Sequence, residues 1–180
     1  MRRITLPDGA EVTLRPIRLE DEAELTALYA RLSPETAYQR FFTVMRRLPP
    51  AWAHILASVD YDRRMAIGAL GPGDALIGVA RYAYDEKAGE AEIAIVVQDQ
   101  WQGRGLGKIL LADLIAYAVD RGIQRFRAYV LADNARMLRL VTRVATVLDR
   151  KLESGVVSFL LAPPGPPASA QAPVAVERTG

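Results

Sequence analysis

Cysteine is absent from the 180-residue chain. That removes disulfides, thiolate metal ligands and a cysteine nucleophile, and it fits a reducing, cytoplasmic setting. Histidine occurs once, as His54, so a zinc site could draw on one imidazole only; His54 reads as structural and no metal is expected. No run approaches the eighteen or so apolar residues of a membrane helix, and "MRRITLPDGAEV" has basic residues without the apolar stretch of a signal peptide. An excess of one charge is lacking too, with 23 basic against 21 acidic residues. Arg46-Arg47 and Arg63-Arg64 are pairs in mixed surroundings, so neither nucleic acid nor membrane is an expected partner. What is present is an ordinary globular composition, 51% hydrophobic and 24% charged, at a length suited to one domain.

Along the chain, "EVTLRPIRLED" alternates like a strand through Val12 and Leu14 and turns at Pro16. "LEDEAELTALYARL" has a helical period with acids in its first turn. "SPETAYQRFF" opens a second helix with Ser33 as N-cap and Pro34 at the first helical position; "PPAWAHILASVD" reads as a short third. "RMAIGAL" and "ALIGVARYAYD" are strands joined by a turn at Gly71 to Asp74, and Ala88 to Val97 is the next strand. Ile109, Leu110, Leu114 and Tyr117 set a helical face between Gly105 and Arg121, with Gly122 closing it. "QRFRAYVL" is a strand, "ADNARMLRLVTRVATVL" a helix and "GVVSFLLA" a final strand. From Pro163 the chain is rich in Pro and Ala without apolar period, so the domain is expected over 1–162 and a disordered tail over 163–180. Tight turns between successive strands imply antiparallel pairs, and the strand–helix–strand unit implies a parallel one. The expected fold class is α/β (α+β), a mixed, mostly antiparallel sheet flanked by helices.

The sharpest local signal is "VVQDQWQGRGLGKILL", a strand that runs through a glycine-rich loop into a helix. It fits neither common phosphate loop. A G-x-G-x-x-G pattern from Gly103 would need glycine at Lys108, and a P-loop ending at Gly107-Lys108 would need glycine at Gln102 and a hydroxyl at Ile109. Even so, Gly103, Gly105 and Gly107 let backbone approach a ligand closely, the first turn of the helix leaves N–H groups unpaired, and Arg104 and Lys108 add positive charge. A pyrophosphate is the natural occupant.

These residues resemble the coenzyme-A loop Q/R-x-x-G-x-G/A of the GNAT (Gcn5-related) N-acetyltransferases, with Gln100, Gly103 and Gly105 in its defined places. The resemblance covers about 155 residues, from "LRPIRLED" to the last strand. It is closest to bacterial Pat-type protein-lysine acetyltransferases, through "SPETAYQRFF", "DYDRRMAIGAL", "IGVARY", "AEIAIVV" and "DNARMLRL". It implies a GNAT fold with acetyl-CoA as cosubstrate, bound by Gln102, Gly103, Arg104, Gly105, Leu106, Gly107 and Lys108 of the loop. The strand before the loop would pair with the pantetheine through Ile95, Val96 and Val97, with amides near Val96 as oxyanion donors. Asn134 would bond the CoA arm or cap its helix. Glu92 would be the general base, tuned by burial among apolar neighbours; Glu90, on the same face, is its rival. The tyrosine that many relatives place seven or eight residues beyond the asparagine is absent, those positions holding Val141 and Thr142.

With no cysteine for an acyl-enzyme, direct attack by an amine in a ternary complex follows. The expected acceptor is a protein lysine, with AMP-forming acyl-CoA synthetases as candidates and Arg40, Arg46 and Arg47 on the docking surface. A GNAT acting on a small amine, or a CoA-binding sensor without chemistry, are the alternatives.

Overall fold

The computed structural model of the chain describes residues 1–45 and 47–165. In chain order its elements are β1 (Arg2–Thr5), β2 (Glu11–Pro16), α1 (Glu22–Ala30), α2 (Pro34–Phe41), α3 (Pro50–Ala57), β3 (Arg64–Leu70), β4 (Leu76–Asp85), β5 (Glu90–Val97), α4 (Leu106–Val119), β6 (Phe126–Leu131), α5 (Ala135–Val144), β7 (Thr146–Glu153) and β8 (Val156–Ala162). The strands form a single eight-stranded sheet in the order β1-β2-β3-β4-β5-β6-β8-β7. Every neighbouring pair is antiparallel except β5 with β6.

Strand alternation sends apolar groups to both faces, and each face has its own helical cover. On one side Met65, Ile67, Ile77, Ile93 and Ile95 pack with Leu106, Leu110, Leu111 and Leu114 of α4 and Val141 of α5. On the other, Ala66, Leu70, Leu76 and Val79 meet Leu25 and Leu28 of α1, Ala37 of α2 and Ala53 of α3. Leu110 and Leu114 are fully enclosed, which stabilises by about 1.5–3 kcal/mol each. No described helix is long and apolar enough to cross a membrane.

Two strands depart from the sequence reading. β1 precedes the first expected strand and pairs with β2 around a turn at Pro7 to Gly9. The helix expected through Leu148 ends at Val144, and β7 begins two residues later. Every residue of β7 is exposed, so this edge strand has no apolar face to display a period of two, while its β-branched Thr146 and Val147 suit a strand better than a helix. The expected tail from Pro163 lies, beyond Gly165, outside the described residues.

Candidate active site

The parallel pair β5–β6 holds together at two positions only, Ala91 opposite Phe126 and Glu92 opposite Arg127. Beyond them the strands part. At the junction Glu90 is clasped by Arg127, whose Nε and Nη2 each donate to its carboxylate at 2.9 Å. Glu90 is therefore committed to the scaffold, and Glu92 is the carboxylate left without a hydrogen bond among the described residues. Glu92 lines a cavity of about 460 Å³ that opens between the parting strands, together with Ala94 and Ile95 of β5, Tyr129 and Val130 of β6, Asn134, and Arg40, Phe41, Phe42 and Trp52 from the helical side.

Backbone direction along β5 follows from two bonds. Ala91 N–H donates toward β6, to Arg125 O, and Gln98 N–H donates toward β4, to Ile77 O. The β4–β5 register between them is unbroken. Alternation then turns the N–H groups of Ile93, Ile95 and Val97 into the cleft and that of Val96 onto β4. Of the three residues expected to meet the pantetheine, Ile95 and Val97 offer amides and Val96 does not. Glu92 is exposed, so the burial expected to tune it is missing: the cavity reaches solvent on its side of the sheet.

At the end of β5 the glycine loop has the backbone the sequence suggested. Gly103 and Gly105 lie in the left-handed region with φ of 75° and 89°. A Cβ on Gly103 would meet nothing within 4 Å, so space for a ligand is open there. The first intrahelical bonds of α4 are made by the N–H groups of Lys108 and Ile109 to Gly105 O, which leaves the Leu106 and Gly107 amides facing outward. The loop thus fits a pyrophosphate.

Its side chains are less free than expected. Leu106 is fully buried in the core, so only its amide can serve. The Arg104 guanidinium stacks 4.2 Å from the Trp101 ring centre and pairs with Asp8 in the β1–β2 turn, holding the Asp8 carboxyl below its usual range. Gln102 donates to Thr36 Oγ1 at 3.1 Å and Val97 O at 2.9 Å, and accepts from Arg136. Lys108 is exposed and makes no ion pair among the described residues. Asn134 caps α5, its Oδ1 accepting from Met137 N–H at 3.0 Å; the rest of its amide borders the cavity.

The helical side was only partly foreseen. α2 is tied to the loop by Asp99, which accepts from Ser33 N–H at 2.8 Å, Ser33 Oγ at 2.6 Å and Thr36 Oγ1 at 2.7 Å. Arg40 lines the cavity half-buried instead of standing on an outer surface, and Arg46 lies outside the described residues. Arg47 is exposed as expected. Phe42, Trp52 and Tyr129 form an exposed aromatic rim. Exposed aromatics in "RFF" and "AWA" were the available signal, but only the fold brings them to one mouth. His54 is structural, its ring 2.6 Å from the Glu22 carboxylate across α1 and α3.

A family model described as acetyltransferase (GNAT) domain matches residues 11–145. An acetyltransferase of Pseudomonas aeruginosa is 33% identical over 149 residues, covering 81% of this chain and 80% of its own. Acetyltransferase Pat of Mycolicibacterium smegmatis is 38% identical over 149 residues; the match takes in 80% of this chain but only 43% of that protein. The GNAT domain of S. lividans PAT superposes with a TM-score of 0.81 at 34% identity, over 89% of this chain and 96% of that one. The split strands, the loop on the α4 N-terminus and these likenesses agree, and the chain belongs to the GNAT acetyltransferases.

Proposed function

We propose that this acetyltransferase moves the acetyl group of acetyl-CoA directly onto the side-chain amine of a lysine in a folded protein. The observation that carries the reading is the placement of Glu92. It stands in one open cavity beside cleft-facing amides, under a rim of exposed aromatics. The Leu106 and Gly107 amides receive the pyrophosphate, and the Ile95 and Val97 amides face the thioester carbonyl, where fixed donors favour developing negative charge. Glu92 takes the amine's proton and, being exposed, returns it to solvent; as the C–N bond forms the C–S bond breaks, and coenzyme A leaves as a thiolate that water protonates. Phe42, Trp52 and Tyr129 suit the four-carbon stem of lysine and the surface around it. The resemblance to Pat-type enzymes makes AMP-forming acyl-CoA synthetases the candidate acceptors.

The test is incubation with acetyl-CoA and either folded acyl-CoA synthetases or free polyamines, read by mass spectrometry. Transfer to one or a few lysines of the folded proteins is expected. Efficient transfer to polyamines with no protein lysine modified refutes the reading and makes the chain a small-amine acetyltransferase.

A further inference from the structure

Beside Glu92 the cavity holds a cation that the reaction outlined above does not use. Arg40, on the last turn of α2, makes no hydrogen bond or ion pair among the described residues; its recorded contact is the neighbouring Phe41 ring, 4.8 Å from the centre. Among the described residues no buried side-chain nitrogen or oxygen lacks a partner, so the unbonded guanidinium nitrogens keep access to cavity space. Behind it lies a second guanidinium. Arg81 of β4 is anchored to Leu56 O of α3 at 2.7 Å and shares with Arg40 a smaller apolar pocket under α1. Desolvation pushes Arg40 down to about 10, with Glu92 opposing, and Arg81 down to about 9, with Arg40 adding to the effect. Both remain cations at neutral pH.

Arg40 and Glu92 line this end of the cavity and Arg81 lies behind Arg40 in the adjoining pocket, so the three groups together carry a net charge of +1. The other titratable groups facing Arg40 are the phenols of Tyr129 from β6 and Tyr29 from α1; α3 contributes Trp52, and α5 contributes Met137 and Val141. We propose that Arg40 is a positioning residue for the acceptor, keeping the cavity cationic so that the amine is held as uncharged NH2 on an apolar stem and amines with a second nearby charge are excluded. The ammonium form is opposed by Arg40 and Arg81 as its proton passes through Glu92 to solvent, and a polyamine would bring a further charge against the same pair. The inference rests on reading this cavity as the acceptor site.

The variants are Arg40→Gln, Arg40→Met, which keeps the stem on Phe41, and Arg40→Lys. Each is assayed with Nα-acetyl-lysine amide and with spermidine, after melting and CoA calorimetry have established folding. In kcat, which reports groups in the complex, the acidic limb should move to higher pH in both neutral variants by about one unit. A unit charge roughly 6 Å away gives that shift at an effective dielectric constant of about 40. Spermidine should gain on the capped lysine by about tenfold in kcat/KM, and Arg40→Lys should behave as wild type. A limb that stays in place, or an Arg40→Lys profile matching Arg40→Gln, overturns the role of charge. An unmodified set of folded proteins alongside good turnover of the capped lysine would instead count against the protein-lysine reading and leave Arg40 standing.

Discussion

Replacing Asp99 by alanine removes the tie between the glycine loop and the helix that carries Arg40. The carboxylate accepts three hydrogen bonds from Ser33 and Thr36, at 2.6 to 2.8 Å. Hydrogen bonds to a charged acceptor contribute about 1.5–3 kcal/mol each, but Asp99 is exposed, and solvent screening brings the figure to about 1 kcal/mol apiece. The variant should lose about 3 kcal/mol, which in a domain of this length lowers Tm by about 6–12 °C. pH adds an independent signature. Partial burial would raise the Asp99 carboxyl, but the Ser33 hydroxyl and amide and the Thr36 hydroxyl outweigh it and hold the group below its ordinary value. A depressed carboxylate contributes stability above its unfolded pKa and loses it as pH falls through the folded one. The Tm gap between wild type and variant should therefore be constant near neutrality and close below about pH 4. Activity should fall as well, by about tenfold in kcat, because α2 then aims Arg40 less well. Scanning calorimetry at several pH values is the assay. A gap under about 2 °C at pH 7, or one that widens in acid, would refute the tie.

Two further substitutions test the catalytic face. Glu92→Gln should leave CoA affinity near that of wild type in calorimetry and cut turnover by about 10²–10⁴, with the defect shrinking at alkaline pH, where the amine loses its proton unaided. Wild-type turnover at neutral pH would remove Glu92 as the base. Gly103→Ala places a methyl group in the open space of the loop at a φ of 75°. It should cost about 1–2 kcal/mol in backbone strain and weaken CoA binding by at least about tenfold, as the close backbone approach is blocked. Unchanged affinity in isothermal titration would mean that the loop does not cradle the ligand.

The features legible in the sequence are those with local causes. Gly103 and Gly105 announce a loop open to close backbone approach because no Cβ stands in the way, and the structure adds that both lie at positive φ; Ser33-Pro34 announces a helix start because the cap and the fixed φ act within one turn. Glu92 was legible as a carboxylate in an apolar strand, although its exposure was not, since that depends on how the helices cover this face of the sheet. The resemblance favoured Glu92 over Glu90, but the physical difference between them lies in Arg127, 37 residues on, which takes Glu90. The Asp99 tie spans 66 residues to Ser33, and Arg104 spends its charge on Asp8, 96 residues back. Nothing in either local sequence encodes the partner. β7 was missed for a different reason: a strand exposed on both faces carries no hydrophobic period to read.

The parted strands have a thermodynamic consequence beyond chemistry. From Ile93 to Val97 one edge of β5 faces a gap where a neighbouring strand would ordinarily complete the ladder, so the free fold forgoes cohesion that a ligand bonded along this edge would supply. Any ligand that binds only the folded chain, at free concentration L, stabilises it by RT ln(1 + L/Kd), about 2.7 kcal/mol at a concentration one hundred times Kd. Resistance to unfolding and proteolysis should therefore rise as acetyl-CoA is added, so that a protease cuts the free chain faster than the saturated one.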